Sequence, residues 1–187
     1  MAKFVVGFQY QVPTPTGKKI DFLTEFEQVG NVGVEVKRIR EIPGPTTFNE
    51  EEQIHEVSYS QRESFKFTDN IMSALLQLMP ALPNIIYVKI DSTVHEFFDA
   101  GLALNAIVMR VRAKDVEFLR KNKFESPEQF LDHYWRMNLL VVRSKWGPSI
   151  SSAGTNFNSN RIWINEEATI PMPEHVVDIF RRGDSWG

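Results

Sequence analysis

The sequence predicts an α+β fold: an antiparallel N-terminal meander continued by a mixed sheet, with three to four helices packed on it. Three observations predict it. Residues 1–67 alternate apolar and polar with a period of two, broken by turn signals. From residue 68 onward, helical and extended periods take turns. Between them, Ile85 to Ile90 is a nearly unbroken apolar run, the pattern of a central strand covered on both faces. A run of strands followed by alternation argues against a doubly wound dinucleotide-binding fold.

Taken in order, Phe4, Val6, Phe8, Tyr10 and Val12 share one face of a first strand, and Pro13 to Gly17 turns the chain. Ile20, Phe22, Thr24 and Phe26 alternate with Asp21, Glu25 and Glu27 in a second strand. Gly30-Asn31 is a turn signal, and Val32, Val34 and Val36 begin a third. There the alternation slips: Arg38 and Arg40 take the valine face and Ile39 the other, which a bulge near Lys37 would repair. The aromatic face of this meander needs a cover, and the next helix is expected to provide it.

Ile54 to Gln61 reads as a fourth strand. Thr68 or Asp69 caps a helix running to about Met79, which Pro80 stops. Thr93 and Glu96 have capping-box spacing, so a short helix over 94–101 ends at Gly101. Next, Ile107, Met109, Val111 and Ala113 alternate with Arg110, Arg112 and Lys114, which predicts a strand with one dry and one cationic face. A short helix follows over 115–122. Ser126-Pro-Glu-Gln129 is a helix start with Pro at the first position, and its buried side includes Met137 and Leu139. Leu140 to Arg143 and Ile162 to Ile164 read as strands, with a polar loop over 147–160 between them. Pro173 opens a last helix.

The 187 residues make a single domain, 1–187, with 1–67 mainly β and 68–187 mixed α/β. A hydrophobic fraction of 42% supports a core, and the 14 Phe give that core an aromatic character. The chain has no Cys, which removes disulfides, thiolate metal sites and a Cys nucleophile. No apolar run has the length of a membrane span and no secretory signal is read, so the expected location is cytoplasmic. The net charge of −3 argues against a generally DNA-coating protein, yet residues 108–148 hold 9 basic and 5 acidic side chains, a local +4.

That region sets the functional expectation. Alternate strand residues stand about 6.5–7 Å apart, near the phosphate spacing of a nucleic-acid strand. Arg110, Arg112 and Lys114 would track such a backbone, with Lys145 and Arg161 flanking the polar loop and Trp146 and Trp163 as base-stacking neighbours. The expected function is a non-catalytic nucleic-acid-binding module for RNA or single-stranded DNA. The competing reading of the row is a solvated face paired with acidic neighbours. Two other functions are weighed: an assembly subunit forming a homo- or hetero-oligomer, and a small transferase or hydrolase using the 147–160 loop near His95, Glu166 or Glu167. No convergent acid–base set and no metal-binding spacing is found, so no catalytic residue, cofactor or metal is assigned and the reading leans away from an enzyme. His55, His95, His133 and His175 are scattered, and surface pairs such as His175 with Asp178 suffice to explain them.

Overall fold

The computed structural model describes residues 5–15, 17–40, 61–91, 97–144 and 159–182. Residues 54–60 of the expected strand, 147–158 of the polar loop, Lys145, Trp146, His55 and His95 lie outside them, while Gln61 opens a helix and Ser159 and Asn160 open a strand. The α+β class and the meander-plus-mixed-sheet architecture hold. A six-stranded sheet runs in sequence order, β1 (Val5–Pro13), β2 (Lys19–Phe26), β3 (Gly30–Arg40), β4 (Asn84–Asp91), β5 (Met137–Ser144) and β6 (Ser159–Ile164). The first three strands are antiparallel. β3, β4 and β5 are mutually parallel, and β6 returns antiparallel to β5. Parallel neighbours need long crossovers. Helix α1 (Gln61–Leu75) lies between β3 and β4. Helices α2 (Phe97–Arg112), α3 (Val116–Lys121) and α4 (Pro127–Tyr134) lie between β4 and β5, and α5 (Glu174–Arg182) follows β6.

Both faces of the sheet are covered at its centre, over β3, β4 and β5. One core joins Ile39, Ile86, Val88, Ile90, Leu140 and Val142 to α1 through α4. The other joins Phe26, Val32, Ile85, Leu139 and Val141 to Val176, Val177 and Phe180 of α5. This explains the slip in β3 without a bulge. β3 pairs with β4 unbroken from Gly33↔Asn84 to Arg40↔Asp91. Ile39 serves the α1 side while Val32 serves the α5 side. The same two-sided cover makes Ile85 to Ile90 the central strand the apolar run predicts.

Four expectations are corrected. Helix α1 begins at Gln61 and ends at Leu75, earlier than its predicted span. It does not cover the meander aromatics: Phe8 is 71% and Tyr10 66% exposed, stacked only around Phe22. Met137 and Leu139 belong to β5, not to the preceding helix.

The largest correction concerns residues 105–114. Asn105 to Arg112 continue α2, a single 16-residue helix that passes through Gly101, and Ala113 and Lys114 form the turn after it. Ala100, Ala103, Ile107 and Val111 face the core at helical spacing. Gly101 is a packing residue: a Cβ there would stand 3.4 Å from the Trp163 ring. The α3 and α4 starts follow the sequence signals, with Asp115 and Ser126 accepting bonds from Phe118 N and Gln129 N.

His133 of α4 is buried, with Nδ1 3.0 Å from the Leu75 carbonyl and its ring edge-on to Phe124. Burial lowers its pKa from the usual 6.5, helped by Arg136. The unfolded chain therefore binds the proton more readily, and stability is lost as pH falls from about 6.5 toward the folded value. Urea midpoints should drop between pH 7.5 and 5.5, and His133→Gln should flatten that part of the dependence. A midpoint equally pH-sensitive in the variant would remove His133 as the cause.

Candidate active site: an acid–lysine cluster beside a cleft

Two adjacent strands bring together three side chains that lie apart in sequence. β2 and β3 pair through Phe22↔Val34. At the next position side chains make the cross-strand bonds: Asp21 N donates to Glu35 Oε2 at 3.2 Å, and Val36 N donates to Asp21 Oδ2 at 2.9 Å. Across β1, Gln11 Nε2 donates to Asp21 Oδ1 at 3.1 Å. Two residues beyond Glu35 on the same strand face, Lys37 Nζ donates to Glu35 Oε1 at 2.6 Å and to Gln77 Oε1 at 3.1 Å. Gln77, just past α1, is fixed in turn by donating to the Lys19 carbonyl.

Glu35 is fully buried, between the apolar Val34 and Val36 along its strand. Burial pushes its carboxyl up, Lys37 pulls it down, and the nearby Asp21 charge adds to the rise. An acid kept at such cost, beside a second acid and under a lysine, fits a functional cluster better than a packing role.

The cluster adjoins a cleft of about 590 Å³. Gln11 and Gln77 line the cleft and also touch the cluster. The other lining side chains include Lys18 and Lys19 after the β1–β2 turn, Asp69 and Ser73 on α1, and Lys121, Asn122 and Lys123 at the end of α3. Four lysines against one aspartate make it cationic. Lys18 has a lowered pKa, first from burial and then from repulsion by Lys123 and Lys37. Gln11 and Lys123 hold left-handed backbone angles of 56° and 66°. The Lys123 angle closes α3, with the Phe124 N–H donating back to the Leu119 carbonyl.

The residues expected from the sequence are not brought together here. On a helix, Arg112 points about 200° away from Arg110, so no cationic row exists. Arg110 pairs with Asp115 at 3.3 Å and covers the Phe118 ring at 5.0 Å. Arg112 and Lys114 are exposed, and Lys114 lies in the turn after α2. Arg161 is exposed on β6, whereas Trp163 packs against the α2 side of the core. Of the described histidines, His175 is exposed and His133 serves packing.

Asp21, Glu35, Lys37 and Gln77 were missed. Their signal was present as polar residues interrupting apolar strands, with Glu35-Val-Lys37 lying where the alternation slips. Among the described residues no three Asp, Glu, His or Cys side chains converge, so a metal would have two protein carboxylates only. That donor set suits Mg²⁺, which binds through one or two carboxylates and completes its shell with water and substrate phosphate. Among the described residues no helix is long and apolar enough to cross a membrane. Comparison with protein families, curated proteins and solved structures finds no match to this chain.

Proposed function

We propose that the protein hydrolyses phosphodiester bonds of nucleic acid at the Asp21–Glu35–Lys37 cluster. The nucleic-acid partner expected from composition is kept, but its site moves to the lysine-rimmed cleft. The observation that carries the reading is Glu35: a fully buried carboxylate that accepts a bond from Lys37 beside a second strand carboxylate.

In the reaction a water oxygen bonds to phosphorus and the P–O bond to the leaving sugar oxygen breaks. That oxygen takes a proton, leaving one phosphomonoester end and one hydroxyl end. A divalent cation, when bound, supplies positive charge at the phosphoryl oxygens and acidifies water. Asp21 and Glu35 would hold it, since each carboxylate oxygen has a lone pair beyond the bond it already accepts. Lys37 has three N–H donors, and Glu35 and Gln77 take two. The third serves the attacking water or a phosphoryl oxygen. The cleft lysines bind flanking phosphates, where charge steers a polyanion onto an acidic protein.

The purified protein should cut labelled oligonucleotides with Mg²⁺ or Mn²⁺, and EDTA should stop it. Folded protein that binds nucleic acid but leaves it intact with both cations would return the reading to a non-catalytic binder. An assembly role is a second reading, favoured by the exposed Phe8 and Tyr10 on edge strand β1. Light scattering that shows a monomer throughout would dismiss it.

A further inference from the structure

Resting on the placement of nucleic acid in the cleft, we infer that the site admits one strand and excludes the intact duplex, so that its substrate is a single strand or a frayed end. The geometry argues this in three ways. First, the space is about 590 Å³, within the range of small-molecule pockets rather than of duplex-binding grooves. Three separate pieces of structure bound it: the β1–β2 turn, α1 and the end of α3.

Second, its cations come from two of those pieces. Lys18 and Lys19 belong to one, Lys121 and Lys123 to the other. Lys18 and Lys123 line the same cleft from different pieces of the fold, so their positive charges share one space. A B-form duplex separates its two backbones by a major groove about 12 Å wide. Lysines that line one cleft from two sides can instead meet a single backbone running between them.

Third, among the described residues none that lines the cleft is aromatic. Binding therefore comes from phosphates and polar contacts, not from a stacking platform, and it should be indifferent to base sequence.

The test is anisotropy on the full chain with a labelled mixed-sequence strand of about 20 nucleotides, and with the same strand in a blunt duplex. EDTA is present throughout, so no catalysis enters. Single-strand binding should be about tenfold tighter than duplex binding. If all four cleft lysines meet phosphates, log Kd should rise with log salt at a slope of about 3. Lys18→Gln with Lys123→Gln should roughly halve that slope and weaken binding at least about tenfold. Lys18→Arg with Lys123→Arg should keep most of it, which separates charge loss from misfolding. Arg181→Gln, on α5 across the sheet, should change nothing.

Duplex binding equal to or tighter than single-strand binding overturns the inference, as does a Gln pair that binds like the parent. Cleavage is scored separately with Mg²⁺. A protein that prefers the single strand but never cuts it keeps this inference and loses the hydrolytic reading. One that cuts the interior of blunt duplex as fast as single strand keeps the hydrolytic reading and loses this one.

Discussion

Glu35→Gln should abolish cleavage while leaving the protein at least as stable as its parent. Gln matches Glu in shape, so its side-chain oxygen can still accept from Asp21 N. It removes a buried negative charge whose ionisation burial already opposes. If Glu35 were only a strut between β2 and β3, neutralising it would weaken the Lys37 contact and lower stability. If it holds a cation, stability holds or rises while the rate falls by several kcal/mol of transition-state stabilisation, about 10²–10⁴-fold. Asp21→Asn should behave alike. Lys37→Met should cost rate without destroying nucleic-acid binding, since the cleft lysines remain. Cleavage assays beside urea melts decide the matter: activity near parental in Glu35→Gln would eliminate the acid pair as a catalytic site. A gain of stability with loss of activity is the trade-off expected at a working site.

Asn84→Ala should give the largest loss of stability, about 3–5 kcal/mol by urea denaturation. Asn84 opens β4 and is fully buried. Its Oδ1 accepts from Met79 N at 3.0 Å, and its Nδ2 donates to the carbonyls of Met79, Leu82 and Arg136 at 2.7–3.0 Å. Truncation strands several backbone groups at once, each costing about 1–3 kcal/mol when buried without a partner. Gly33 presses on the same amide, since a Cβ there would stand 2.5 Å from Asn84 Oδ1. The node ties the turn after α1 to β4 and to the start of β5, and the Asn84 backbone N–H donates to Asn138. A loss under about 1 kcal/mol would show that water replaces the amide.

Much of the fold was legible because local chemistry and tertiary demand agree there. Gly30, at a φ of 82°, turns β2 into β3 as its signal predicts. Ser126-Pro127 starts α4, and the apolar run at Ile85 to Ile90 lies at the centre of the sheet. The failures share a cause. Over ten residues, Ile107, Met109, Val111 and Ala113 satisfy a period of two, while Ala103, Ile107 and Val111 satisfy a helical one. Only the packing partner chooses. Here Met109 is 71% exposed and Ile107 fully buried, which a strand reading had on one face.

The site was hidden by the opposite error. The slip at Arg38, Ile39 and Arg40 drew attention to a bulge near Lys37, and the buried Glu35 beside it went unweighed. The N-terminal meander, its turns, the starts of α3 and α4 and the central strand were determined by sequence alone, because backbone preference and hydrophobic period act over a few neighbouring residues. The fate of residues 105–114 and the meeting of Asp21 with Glu35, Lys37 with Gln77 and Lys18 with Lys123 were decided by tertiary structure. Those residues stand 14 to 105 positions apart, and only strand register and helix packing bring them into one cluster or one cleft.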